Sequence, residues 1–162
     1  MHIETVSDKN QIKAIEDLAY VIWYEHYTPI IGKDQVDYML EKFQSVQAMT
    51  EQIQDGYLYF LCEHHNKHVG YMSVYIREKE LFLSKFYVAL SDRGRGYGKN
   101  MIEFIEALSK EKSLNKISLT VNRHNTDSIK IYEKLGFLKC GTVIQDIGNG
   151  FIMDDCKLEK RL

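Results

Sequence analysis

Three glycines alternate with basic and aromatic residues in Arg93-Gly94-Arg95-Gly96-Tyr97-Gly98-Lys99, a spacing that suits a phosphate. Glycine lets a backbone take positive φ and come close to a ligand. The loop stands between a strand-like run and an amphipathic helical run, where a helix start offers outward N–H groups and a positive dipole end. Arg93, Arg95 and Lys99 add charge, and an arginine fork matches phosphate oxygens at two points. Two familiar phosphate patterns fail on spacing. A dinucleotide fingerprint starting at Gly94 meets Lys99 where glycine belongs, and one starting at Gly96 meets Met101. A P-loop matches Gly98-Lys99 but finds Arg93 in place of its first glycine and Asn100 in place of Ser/Thr.

A second segment downstream, Asn125 through Phe137, could also carry chemistry. It reads as a helix capped by Asn125 or Thr126, with Asp127 in the first turn. Gly136 suits the left-handed position after the helix, and Phe137 can pack back on Ile131 or Tyr132. Tyr132 sits mid-helix, its ring on the apolar face and its hydroxyl at the edge.

Arg-x-x-Gly-x-Gly at 93–98, followed by Asn125, Tyr132 and Gly136-Phe137, resembles the GNAT superfamily of acetyl-CoA-dependent N-acyltransferases. The resemblance runs from about residue 57 to the C-terminus; the N-terminal third fits by element order only. It implies a mixed α/β fold, with a mostly antiparallel central sheet and helices on both faces. It implies acetyl-CoA as cosubstrate, its pyrophosphate on Arg93–Lys99, and Asn125 on the pantetheine or phosphates. The backbone of Phe86, Tyr87 and Val88 would pair with the pantetheine arm, with an N–H near Val88 facing the oxyanion. Tyr132 would be the acid that protonates the departing sulfur.

Transfer from a thioester to an amine also needs the amine neutral, so a base or a water chain must take its proton. Glu25, Glu63, His26 and Ser84 are all conceivable bases. An acyl-cysteine route through Cys62 or Cys140 is disfavoured, since neither stands near a group that would lower its pKa. Trp23, Tyr24, Glu25 and Tyr27 form an aromatic and acidic stretch suited to a cationic acceptor, such as a polyamine. The same aromatics would serve equally to pack the first helix on the sheet. A protein or peptide amine is the alternative acceptor, and a non-catalytic CoA-binding sensor the alternative function.

The elements that position these residues follow from periodicity. A strand at 3–6 leads to a helix opened by Ser7 or Asp8, with Ile12, Ile15, Leu18, Ala19 and Ile22 at helical spacing. Thr28-Pro29 is expected to break it, because the residue before proline disfavours helical geometry. Helices over 34–43 and 46–53 come next, then an antiparallel meander of strands over 57–63, 69–76 and 81–90. After Gly98 come a helix, a strand at 117–121, a helix at 126–135 and a closing hairpin around 147–150. The apolar stripes of the helices over 34–43 and 101–108 would serve either the core or a homodimer face.

Composition bounds the function. The chain has 162 residues, 44% hydrophobic and 27% charged, with a net charge of −2. A single N-acetyltransferase domain over 1–162 is expected, since no linker or repeat divides it. The charge argues against a nucleic-acid partner, and no apolar run is long enough to cross a bilayer. Residues 1–8 lack the features of a signal peptide, and three scattered cysteines suit a reducing cytoplasm. His64, His65 and His68 cluster at a turn, but no cysteine or carboxylate completes a metal spacing, so no metal is expected.

Overall fold

A computed structural model describes all 162 residues. The chain runs β1 (His2–Thr5), α1 (Lys9–Ile31), α2 (Lys33–Gln44), α3 (Val46–Gln54), β2 (Leu58–His64), β3 (Lys67–Arg77), β4 (Glu80–Val88), α4 (Tyr97–Glu111), β5 (Lys116–Asn122), α5 (Thr126–Lys134), β6 (Leu138–Gly148) and β7 (Phe151–Arg161). One turn of 3-10 helix, Leu90–Asp92, separates β4 from the glycine loop. The seven-stranded sheet has the order β1-β2-β3-β4-β5-β7-β6. The fold is therefore mixed α/β: β1 with β2, β2 with β3, β5 with β7 and β6 with β7 pair antiparallel, and β4 pairs with β5 in parallel. No helix is long and apolar enough to cross a membrane.

The chain forms two compact units: Met1–Tyr75 with Lys85–Met101, and Ile76–Ser84 with Ile102–Leu162. In the first, α1 opens with a capping box. Asp8 Oδ1 accepts from the Gln11 amide (2.9 Å), and Gln11 Oε1 accepts from the Asp8 amide (3.2 Å). Ile15, Ala19, Ile22 and Trp23 form the buried stripe of α1. Pro29 does not break this helix, contrary to the sequence expectation; α1 continues to Ile31 and stops at Gly32, whose φ is +83°. A proline forfeits only its own N–H bond to the preceding turn, and the Gly32 N–H still closes the last turn on the Thr28 carbonyl at 3.0 Å.

On β4, side chains alternate between two layers. Lys85 and Tyr87 face groups of α1, α3, β2 and β3, while Phe86 lies 3.9 Å from where a Cβ on Gly98 would stand, at the opening of α4. This unit thus has helices on both sides of its strands. Gly70 permits a close approach of β3 to β4: a Cβ there would fall 2.5 Å from the Tyr87 carbonyl oxygen.

In the second unit, Glu80, Leu81 and Phe82 of β4 run parallel to Lys116, Ile117 and Ser118 of β5. The Ser118 hydroxyl donates to Glu80, which also holds Lys116 (3.1 Å). β5, β7 and β6 continue as an antiparallel set. Lys160 of β7 binds Glu106 of α4 at 2.5 Å and donates to the Leu135 carbonyl at 2.7 Å, tying down the end of α5.

Candidate active site

The glycine loop is built by a short sequence of backbone bonds. The Ala89 amide donates to Val69 O (2.9 Å), then Asp92 N to Ala89 O (2.9 Å) and Arg93 N to Leu90 O (3.3 Å). Leu90 therefore belongs to this turn, not to the strand expected over 81–90; the two tight returns take the chain out of extended geometry. Gly94 (φ +77°) and Gly96 (φ +83°) then reverse the chain into α4. The helix starts at Tyr97, earlier than the pattern after Gly98 indicates, and its first bond runs from Asn100 N to Gly96 O (3.1 Å). A Cβ on Gly94 or Gly96 would have no neighbour within 4 Å. Backbone at positive φ, open space above it and a first helical turn together make a cradle for an anion.

The side chains of the loop divide their work. Arg93 Nε donates to the Val88 carbonyl (3.1 Å) and Nη1 to His26 Nδ1 (3.2 Å). A guanidinium only donates, so His26 Nδ1 is the acceptor in this bond. Asp92, which sequence reasoning missed, is buried and accepts from Lys67 Nζ (2.6 Å) and Ser91 Oγ (2.9 Å), with Arg95 at 3.8 Å. Its bond to Lys67 holds the carboxyl below the usual range. A lone acid directly before two arginines was the available signal. Arg95 and Lys99 are exposed, whereas the Tyr97 ring is buried against His64, 5.2 Å between centroids.

The aromatic stretch of α1 separates into two faces. Trp23 and Tyr27 stack 4.5 Å apart and meet Tyr87 of β4 at 5.8 and 6.3 Å. Tyr71 joins them 5.1 Å from Tyr87, its hydroxyl donating to Gln44 at 3.0 Å. Tyr24 turns instead to α2, donating to Asp37 (2.5 Å), which also holds Lys33 (2.6 Å). Glu25 is exposed. Of the four residues singled out, the fold gathers Trp23 and Tyr27 with Tyr87, and leaves Tyr24 and Glu25 outside that group.

Lys85 is the other group that sequence reasoning passed over. Only 5% exposed, it donates to Gln52 Oε1 (2.8 Å) and lies over the Tyr59 ring at 5.4 Å. Burial pushes its amine down to about 7. The alternation Leu81, Leu83, Lys85 was the readable sign, because it assigns Lys85 to the buried phase of the strand.

Asn125 and Tyr132 belong to the second unit. Asn125 occupies the N-cap position of α5 and is buried, yet its side chain makes no capping bond, contrary to the expectation of an Asn125 or Thr126 cap. Its φ and ψ of −81° and 62° depart from the extended geometry from which a side chain reaches the first amides. Tyr132 is 9% exposed, its ring edge-on to Phe137 at 5.7 Å. Gly136 (φ +92°) closes α5, with Gly136 N to Glu133 O and Phe137 N to Tyr132 O both at 3.0 Å.

Among the remaining groups, His64 lies against His65 (4.0 Å between centroids), while His68 faces Glu63 at 3.8 Å. Ser84 is half-buried on β4. Burial pushes the Cys62 thiol up to about 12, which removes its thiolate at neutral pH.

Comparison with known proteins gives a consistent result. The Acetyltransferase (GNAT) family matches residues 15–137. The SPbeta prophage-derived uncharacterized N-acetyltransferase YokL of Bacillus subtilis (strain 168) is 30% identical over 97 residues, 57% of this chain and 55% of that protein. The uncharacterized N-acetyltransferase YycN of the same organism is 30% identical over 67 residues, 41% of this chain and 43% of that protein. The chain thus spans about half the length of the curated relatives it matches. Among solved structures, the PaiA N-acetyltransferase of Thermoplasma acidophilum in complex with coenzyme A superposes with a TM-score of 0.81 at 19% identity, covering 100% of both chains. The ribosomal-protein-S18-alanine N-acetyltransferase of Escherichia coli gives 0.74 at 15% identity, covering 99% of this chain and 92% of that one. These two show a shared fold; the match over residues 15–137 goes further, and the chain belongs to the Acetyltransferase (GNAT) family.

Proposed function

We propose that this chain is an acetyl-CoA-dependent N-acetyltransferase, working as a single domain over residues 1–162 and transferring acetyl directly to a primary amine. The observation that carries the reading is the loop at 93–98: two glycines at positive φ, with open space above them, at the start of α4. Two relatives named as N-acetyltransferases, and the coenzyme A bound by a structural neighbour, support acetyl-CoA as the donor. The pyrophosphate lies on the amides from Gly94 to Lys99, and the pantetheine on the backbone of Phe86–Val88 and on Asn125. The amine nitrogen attacks the thioester carbon, the C–S bond breaks, and Tyr132 gives its proton to the sulfur. The attacking nitrogen loses its proton to water, and Tyr132 takes one back from water, so the phenol is restored.

The acceptor we propose is a small cationic amine, met by the half-buried ring of Tyr27, with the buried Trp23 as the support behind it. The proposed compartment is the cytoplasm, where acetyl-CoA is at hand. Thiol release from acetyl-CoA across a panel of polyamines, small amines and peptides tests the reading, and turnover with a small amine is the expected result. Protection against heat by CoA with no turnover on any amine would point to a sensor, and protection by ATP or NAD but not CoA would overturn the donor assignment. Gly96→Val narrows the test to the loop. It both forces a β-branched residue to positive φ and fills the open space, so the KM for acetyl-CoA rises steeply. An unchanged KM removes the loop from the site.

A further inference from the structure

Beside the loop, and within the first unit, is a pocket of about 250 Å³ lined by the tip of the β2–β3 hairpin and by the turn into α4. His65 and Asn66 take left-handed geometry (φ +50° and +59°), which makes a tight two-residue turn between the strands. His64, His65 and Lys67 enter the pocket from the hairpin, and Arg95 and Tyr97 from the loop. At its back, the buried Asp92 carboxylate binds Lys67 and stands near Arg95, fixing both cations toward one space. Two permanent positive charges meet one negative charge there, and two imidazoles add N–H donors. The lining is rich in donors, and its one carboxylate already has partners.

The pocket's position identifies its ligand. Arg95 and Tyr97 alternate along the chain with Gly94, Gly96 and Gly98, so the pocket opens directly beside the backbone assigned to the donor's pyrophosphate. Coenzyme A carries another phosphate on the ribose adjoining that pyrophosphate. A phosphate monoester is close to a dianion at neutral pH and offers three acceptor oxygens, which suits a donor-rich, net-positive pocket. We propose that this pocket binds the 3′-phosphate of the CoA donor through Arg95, Lys67 and His65, and so selects CoA over its 3′-dephospho form.

The inference rests on the acetyl-CoA reading, and its test separates the two. Calorimetric titration with CoA and with 3′-dephospho-CoA gives two dissociation constants for each protein. Wild type binds CoA about tenfold or more tightly, the effect of one charged hydrogen bond. Arg95→Gln loses most of that preference, because it weakens CoA several-fold more than the dephospho form. His65→Asn, which keeps a residue tolerant of positive φ on an exposed turn, reduces the preference in the same direction. Equal binding of the two ligands by wild type, or a preference that survives both substitutions, overturns the pocket while leaving the donor assignment standing. Binding of neither ligand overturns both.

Discussion

Replacing the buried Lys85 with methionine should stabilise the protein, and the gain should depend on pH. The amine is 5% exposed, and its one hydrogen bond goes to the neutral Gln52. Burial lowers it from an ordinary 10.5 to about 7. Below pH 7 the amine is charged in both states, and the folded protein bears the whole cost of burying the charge. Between pH 7 and 10.5 the unfolded chain binds a proton that the folded chain does not, so wild-type stability rises with pH across that window. At 1.36 kcal/mol per unit, the cost is at most about 5 kcal/mol at pH 6 and about 2 kcal/mol at pH 9. Lys85→Met removes it and fills a similar volume. Gln52 Oε1 keeps the Tyr59 hydroxyl, 2.5 Å away, as a donor. Urea unfolding of both proteins at pH 6 and pH 9 reads the difference. The methionine variant should lead at pH 6, and its lead should shrink by about 3 kcal/mol by pH 9. A constant difference across pH, or a less stable variant at pH 6, would refute the reasoning.

Three further outcomes are expected. Burial, reinforced by Asp154, raises Asp155 from 3.8 to about 6, against the hydrogen bond from Thr120. The folded state therefore binds the extra proton between pH 3.8 and 6, and stability falls as pH rises through that window. Asp155→Asn should gain up to about 3 kcal/mol at pH 8 and almost nothing near pH 3.5, read as urea midpoints. Gly70→Ala places a Cβ 2.5 Å from a backbone carbonyl, so it should cost about 1–3 kcal/mol, a fall in Tm of about 2–4 °C for each; an unchanged Tm would show that β3 and β4 part easily. Tyr132→Phe keeps the ring against Phe137 and should lower kcat about 100-fold with little change in CoA affinity. Wild-type kcat in that variant would deny the tyrosine its role as acid.

Periodicity alone recovered the order of helices and strands, because most buried positions follow the spacing of their element. In β5 the buried residues are Ile117, Leu119 and Val121, a strict alternation. Reading was weakest where one residue type has two uses. Pro29 forfeits only its own N–H bond to the turn before it, and twenty residues of helix already precede it, so the helix runs on to Ile31. Asn125 stands at a cap position without capping, since its backbone does not take the cap geometry. The glycine loop was legible because positive φ leaves few residue choices. Asp92 and Lys85 were not, because a charged residue reads as solvated until the fold surrounds it. Of the aromatic stretch, helical spacing pairs Trp23 with Tyr27 and Tyr20 with Tyr24, but only the sheet decides which pair turns inward.

Arg93 holds its place without surrendering its charge. Its two partners, the Val88 carbonyl and the His26 imidazole, are both acceptors with no carboxylate among them. Lys67, by contrast, has its charge matched by Asp92 at 2.6 Å. The guanidinium is thus fixed in direction by neutral bonds while its field extends past the exposed edge of the loop into solvent. A polyanionic donor would be drawn by that field before any contact forms, so its capture rate should fall as ionic strength shortens the reach of the charge.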